Sequence, residues 1–317
     1  MKLLTILIPT YNREKYLKAN LNYIINEIKN NKLEKNIKII VGDNNSQDKT
    51  VTILNKLKTQ FNFLDFYKNK KNVGVAKNII KLIRKKIKTK YIMVLGDDDF
   101  FKKNKLKELI KILSQYNPDV LYLNYQPVNT YINNKNYEAS FIKVKSIIAP
   151  GINLNKNIFI NNKKYFLKFL ANIGFYNFRM FLSQQSILII KDKIIKKNVL
   201  HCKNAYKNRY PVNLILYYNL PNKFLFLKEK LVFITVNNRS WNYDVLKANE
   251  VVKKYFNPLQ KMILKKYQKE MSLKLKLIII ASIIYTYLVP IVYKIFYLIG
   301  LHKILIKAQF GEEKRNR

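Results

Sequence analysis

The stretch YIMVLGDDDFF, Tyr91 to Phe101, sets an apolar run of strand length directly against three consecutive carboxylates. Neighbouring carboxylates repel one another, and any that leave bulk water need a cation or strong hydrogen-bond donors. The rest of the chain sharpens the contrast, with 60 Lys and Arg against 19 Asp and Glu and a formal net charge of +41. Outward from this stretch, three others repeat its plan. LLTILIP runs into Thr10–Glu14 (TYNRE), IKIIVGD runs from Asp43 into NNSQDKT, and FLDFYKN runs into the Asn72–Gly74 turn of KKNVGVAKN. Each is followed by residues at helical spacing. Tyr16, Leu17, Leu21, Ile24, Ile25 and Ile28 form one apolar face. Ser46 is a candidate N-cap for a helix through Leu57, and further helices are predicted from Val73 to Ile87 and from Lys102 to Gln115. DVLYLNY reads as a fifth strand. Short apolar strands spaced by such helices predict an α/β chain with a mostly parallel sheet and right-handed crossovers. In such sheets ligands bind beyond the carboxyl ends of the strands, where all four polar clusters fall.

An apolar fraction of 49% over 317 residues is that of a folded chain. The positive charge is carried almost wholly by Lys, which suits diffuse attraction to anionic surfaces more than base readout by Arg. The single cysteine, Cys202, excludes an intramolecular disulfide and reads as a small core residue. The N-terminal apolar run breaks at Pro9, Asn12 and Arg13, too early for a signal peptide, so it reads as a first strand in a cytoplasmic protein. From Pro127 to Asn162 the pattern fades into an Asn-rich, loop-like stretch. A helix at 163–173, strands SILIIK, KFLFLK and LVFITV, and a helix near Pro211 to Tyr218 make a mixed second half. Residues 245–272 read as a Lys-studded helix interrupted at Pro258, and 277–293 as an uncharged run containing Pro290. That run is short for a bilayer span and is flanked by lysines. It predicts two short helices laid into an anionic leaflet, within a membrane-associating segment of about 275–306.

At the end of the fourth strand, Asp97, Asp98 and Asp99 offer hard oxygen ligands of the type Mg²⁺ or Mn²⁺ prefer. A cation held by one or two carboxylates keeps positions open for a diphosphate and stabilises its departure. Taken in order, ILIPTYNRE, IIVGDNNSQDKT, KNVGVAKN and YIMVLGDDDFF resemble a family 2 glycosyltransferase of the GT-A fold, strongly over residues 3–115 and in outline to about 240. The resemblance implies a Rossmann-like sheet with a nucleotide-sugar-binding half (1–125), a mixed acceptor half (126–240) and a helical, membrane-associated C-terminal region (241–317). It implies that Pro9, Thr10, Tyr11 and Arg13 line a nucleotide pocket, that Asp43 contacts the base, and that Asn72 and Gly74 border the site. It makes Asp97–Asp99 the metal-binding element, with Asp98 and Asp99 the preferred ligands and Asp97 with Asp99 the alternative pair. Gly96 stands where many members carry Asp.

Inverting transfer needs a general base for the acceptor hydroxyl. The family's Glu-Asp pair is absent before the terminal GEEKRNR, leaving Asp192, Glu229 and Asp244. Asp244, in RSWNYD, is the preferred candidate. His201 and His302 lack metal-ligand spacing, and Trp241 reads as core. The expected function is transfer of a hexosyl or deoxyhexosyl group from a nucleotide-sugar donor to a lipid-linked or surface-glycan acceptor. The expected place is the cytoplasmic face of the cell membrane, with the anionic membrane surface as a partner. The alternatives are a non-catalytic nucleotide-sugar-binding homologue and a basic nucleic-acid-binding protein. The second predicts Arg clusters and aromatic platforms that the chain lacks, so no nucleic-acid partner is expected.

Overall fold

A computed structural model describes residues 2–85, 87–143, 154–172, 186–201, 211–237, 254 and 257–298. Strand β1 (Lys2–Thr10) buries Leu4, Ile6, Leu7 and Ile8, so both of its faces are covered, as its continuous apolar run requires. It is flanked in parallel by β2 (Ile37–Asp43) and by β4 (Thr89–Val94), and β2 pairs in parallel with β3 (Leu64–Lys68). Helices α1 (Glu14–Asn30), α2 (Thr50–Gln60) and α3 (Val75–Ile83) make the crossovers. Gly42 lets α3 lie close on β2, because a Cβ there would stand 2.7 Å from Leu82 Cδ1.

The sheet then continues with three strands that follow the acidic triplet in the chain. They are β6 (Val120–Ile132), β9 (Leu188–Lys191) and β10 (Phe224–Thr235). The order is β3-β2-β1-β4-β9-β6-β10, ending on the two-residue β5 (Phe100–Phe101) that follows the acidic triplet. Strand β9 is antiparallel to both β4 and β6, so a reversed strand separates the parallel left half from the parallel β6–β10 pair. Helices α4 (Lys105–Tyr116), α5 (Lys163–Asn172), α6 (Asp192–His201) and α7 (Pro211–Tyr218) complete this half.

Several expectations are corrected. The Asn-rich stretch is not all loop: β6 runs on to Ile132 and turns back into β7 (Ala139–Lys143), and β8 (Ile158–Ile160) pairs with β10. KFLFLK and LVFITV are one strand with register shifts around Lys230. Helix α6 was not foreseen, because Lys and Asn break its apolar spacing. Beyond it, α8 (Asn257–Lys266) starts next to Pro258, where proline's fixed φ suits a first helical turn. The two short apolar helices expected near Pro290 are a single helix, α9 (Leu273–Leu298). Leu259, Ile263, Tyr267, Met271, Leu275 and Ile279 of this region belong to the same apolar core as the sheet.

Candidate active site

Four strand-end segments meet at the carboxyl edge of β1, β2 and β4. The loops after β1 and β2 clasp each other through reciprocal caps. Asn12 N–H donates to Ser46 Oγ at 2.9 Å and Gln47 N–H to Asn12 Oδ1 at 2.8 Å. Glu14 N–H donates to Asp48 Oδ2 at 3.0 Å and Lys49 N–H to Glu14 Oε2 at 2.7 Å. The orphan amides at the start of α1 and α2 are thus met by carboxylates, the usual solution at a helix N-terminus. Ser46 is therefore not the cap of α2; it fastens the β1 loop.

Asp43 is wholly buried, and both of its oxygens accept from Ser46 N–H at 3.2 Å. A strand-end carboxylate was expected to face a ligand; here it shapes the loop that follows. A network of asparagines fixes the next segment. Asn44 donates to Asn72 Oδ1 at 2.7 Å, and its own Oδ1 accepts Val73 N–H at 3.0 Å and Asn69 Nδ2 at 3.1 Å. Asn78 reaches Gly42 O at 2.7 Å, and Gly74 N–H donates to Asn72 Oδ1 at 2.9 Å. Gly74 enters α3 at φ 82°, a backbone region that side chains disfavour. The expected pair Asn72 and Gly74 does stand at this edge, while Asn44 and Asn69 gave no motif to notice.

The acidic triplet divides by direction. Asp97 is buried and accepts from Thr10 Oγ at 2.7 Å, with Arg13 Nη2 at 3.5 Å. Asp98, whose side chain is 22% exposed, pairs with Arg13 Nη2 at 2.6 Å. Asp99 turns inward: Oδ2 accepts from Ser186 Oγ at 2.6 Å and Oδ1 from Thr235 N–H at 3.0 Å. Asn20 Nδ2 donates to Asp99 O, Thr235 Oγ to Asp98 O, and Gly96 N–H to Ser186 Oγ. Gly96 makes this fold-back possible, since a Cβ there would lie 2.8 Å from Asp99 Oδ2. The triplet is thereby pinned between β1, β9 and β10. Of the remaining pocket candidates, Pro9 pairs with Gly42 in the ladder and Tyr11 is exposed.

Burial first, and then the charge of Asp98, push the Asp97 carboxyl up to about 7, against the opposing pull of Arg13 and Thr10. Arg13 is itself partly desolvated, yet Asp97 and Asp98 outweigh that and raise it. Its ring neighbour is Tyr16, 4.8 Å from the guanidinium, and its Nε is buried without an acceptor. A carboxyl raised above its unfolded value of 3.8 holds a proton in the folded chain that the unfolded chain has lost. Between those two values stability therefore rises as pH falls. Ligand-free protein is expected to melt higher at pH 6 than at pH 8, and Asp97→Asn to flatten that slope. An unchanged slope in the variant counts against the assignment.

The base candidates separate by position. Lys191 pairs with Tyr91 at the start of β4, so the adjacent Asp192 lies at the opposite end of the sheet from Asp97–Asp99, next to Lys196 at 3.0 Å. Glu229 is engaged by Lys105, which holds its carboxyl below the usual range, together with Glu108. Asp244, with Trp241, lies outside the described residues. Among the described residues no three His, Cys, Asp or Glu side chains form a metal cage. The donor set does fit a cation held mainly by ligand oxygens: Asp98 offers a partly exposed carboxylate, while Asp99 is committed to internal donors.

The mostly parallel α/β sheet with its polar residues gathered at one carboxyl edge has the architecture of the GT-A fold. The model of the family described as Glycosyl transferase family 2 matches residues 5–188, and the chain belongs to that family. A processive diacylglycerol beta-glycosyltransferase of Mycoplasma genitalium is 28% identical over 185 residues, covering 55% of this chain and 52% of that protein. The abequosyltransferase RfbV of Salmonella typhimurium is 33% identical over 105 residues, 33% of this chain and 30% of its own length. The chain thus spans about half or less of these curated relatives. Among solved structures, residues 1–349 of Staphylococcus aureus TarS in complex with UDP-GlcNAc superpose with a TM-score of 0.54 at 15% identity, covering 98% of this chain and 90% of that one. The mannosyltransferase PcManGT of Pyrobaculum calidifontis, in complex with GDP-Man and Mn²⁺, gives 0.53 at 10% identity, over 96% and 83%.

Proposed function

We propose that the protein transfers a sugar from a nucleoside-diphosphate donor, with inversion, to a lipid-linked or surface glycan presented at the cytoplasmic face of the cell membrane. The observation that carries the donor reading is the convergence of Arg13, Thr10 and Asp97–Asp98 beside the asparagine-stitched loop at one sheet edge. Arg13 supplies a cation and an unmet buried donor, which a diphosphate oxygen suits. Thr10 and Arg13 hold Asp97 in place. Asp43 and Ser46 shape the loop toward the base, and Asn72 and Gly74 close the side of the pocket. A divalent ion, Mg²⁺ or Mn²⁺, would be held by Asp98 and would supply Lewis-acid neutralisation of the departing diphosphate. With Asp192 set aside by position and Glu229 by its pairing with Lys105, Asp244 is the carboxylate we assign to deprotonating the acceptor hydroxyl. A donor that is a hexose or deoxyhexose nucleotide, and an acceptor carried on lipid, are supported by the kinds of sugar and lipid in the relatives' names.

The deciding experiment is a thermal-shift panel of UDP-, GDP-, CDP- and dTDP-sugars with and without Mn²⁺, because a ligand that binds only the native state raises its stability. One donor should stand out, and more so with the ion. No shift with any member would end the donor reading, and a shift without sugar release to any acceptor or water would favour the non-catalytic homologue.

Arg13 already sits on the carboxylate assigned to the ion, at 2.6 Å from Asp98. Ion and guanidinium therefore compete for it, and Arg13→Gln is expected to tighten Mn²⁺ binding to the donor-free protein by roughly tenfold, about 1.4 kcal/mol. Titration followed by electron paramagnetic resonance of free Mn²⁺ reads this directly. Weaker Mn²⁺ binding in the variant would mean that Arg13 organises the site instead of contesting it.

A further inference from the structure

Helix α9 has two unlike faces. On one, Leu275, Ile279 and Ser282 are buried in the protein, and Ser282 Oγ accepts from Gln260 Nε2 of α8 at 2.6 Å. On the other, Leu273, Leu277, Ile280, Ile284, Tyr287 and Ile291 are 41% to 71% exposed. Their spacing alternates between four and three residues, which keeps them on one stripe about 27 Å long at 1.5 Å per residue. Leu288 widens the stripe. A contiguous apolar band of this kind on a water-exposed surface marks an interaction site.

We infer that this stripe is a membrane-docking surface, lying flat in the headgroup region of an anionic leaflet with the helix axis parallel to the bilayer. Two observations favour lipid over a second copy of the chain, and a third favours lying on the bilayer over crossing it. First, α9 contains no acidic residue and opens with Lys274 and Lys276, while Lys265, Lys266 and Lys269 precede it. Two copies packed in parallel along the stripe would bring these like charges together, and in an antiparallel pair the lysines would meet no acidic residue on α9, whereas helix pairs that use such a repeat place opposite charges beside the seam. An anionic surface meets the same lysines favourably. Second, the formal charge of +41 opposes self-association and draws the whole chain to such a surface. Third, among the described residues no helix is long and apolar enough to cross a membrane. Over its first three turns the inner face of α9 is committed to the protein through Leu275, Ile279 and Ser282, which leaves the opposite face to lipid there. The inference concerns where the protein sits and stands apart from the donor reading.

The test uses the full chain and sedimentation with vesicles of phosphatidylglycerol and phosphatidylcholine, against vesicles of phosphatidylcholine alone. Leu277→Gln, Ile284→Gln and Ile291→Gln together break the stripe at every second position without changing charge. Binding to the anionic vesicles is expected to fall at least tenfold with the melting midpoint little changed. Salt should weaken binding of the native chain without abolishing it. An independent reading comes from a nitroxide at Ile284→Cys in a chain also carrying Cys202→Ser, which should gain collisions with dissolved oxygen when anionic vesicles are added. Unchanged vesicle binding in the triple variant, or no change at the label, overturns the inference. So does a native dimer in sedimentation velocity that the triple variant converts to monomer, because the stripe is then covered by a second copy. Loss of donor binding with docking intact speaks only against the catalytic reading.

Discussion

With Asp98 replaced by asparagine, the protein is expected to fold as before and to lose cation-stimulated sugar transfer by on the order of 100- to 1,000-fold. Asparagine keeps the shape of the side chain and can still accept from Arg13, so the geometry of the 2.6 Å pair is not the thing removed. What is removed is the formal charge that would attract the divalent ion and balance Arg13. A partly exposed side chain at a strand end contributes little to packing, so the melting midpoint should move by only about 1 to 2 °C, less than 1 kcal/mol. A second consequence separates an electrostatic role from a merely steric one. The charge of Asp98 is, after burial, the larger influence holding the Asp97 carboxyl near 7, so Asp97 should titrate lower in the variant. Mn²⁺ titration, initial rates and the chemical shift of Asp97 across pH read the three effects. If rates and ion dependence survive the substitution, the ion is held elsewhere and the proposed division of the triplet is wrong.

The parallel half of the sheet was legible because its signals are local. β1, β2 and β4 are short apolar runs, and the loops that follow announce themselves through Asn, Gly and Asp within a few positions. Asn72 and Gly74 could be named for that reason: an asparagine two residues before a glycine with positive φ is a turn whose chemistry lies in the sequence. The partners of Asp99 carry no such signal. Ser186 and Thr235 stand 87 and 136 residues away along the chain and are ordinary strand-end residues until β9 and β10 bring them in. The reversed strand β9 was equally hidden, since an apolar run of four or five residues does not state its direction. Helix α9 failed for another reason. It is apolar nearly all round, so periodicity could not tell the packed face from the exposed one, and Pro290 suggested a break that the helix does not make.

The largest effect on stability is expected from Asp99→Ala. Sequence alone offered Asp99 as an ion ligand together with Asp98, and its neighbours argue for a different role. Its two oxygens tie the loop after β4 to Ser186 ahead of β9 and to Thr235 at the end of β10, segments also joined by short ladders and by the Gly96–Ser186 and Thr235–Asp98 bonds. Alanine leaves the Ser186 hydroxyl and the Thr235 amide buried without this acceptor, and each unmet donor costs roughly 1 to 3 kcal/mol. A total near 3 kcal/mol corresponds to a fall in melting midpoint of about 4 to 5 °C for a chain of this size. Gly96 N–H shares Ser186 Oγ, so the loop carrying Asp97 and Asp98 should loosen as well, and donor binding should weaken along with stability. Asp99→Asn, which can still accept at one oxygen, should fall between the native chain and the alanine variant on both scales. The contrast with Asp98 is the decisive reading: one position should report on ion dependence at nearly constant stability, the other on stability at nearly constant ion dependence. Were Asp99→Ala to melt normally and lose its response to Mn²⁺, Asp99 would be the ion's ligand and the inward hydrogen bonds would have to give way whenever the site is loaded.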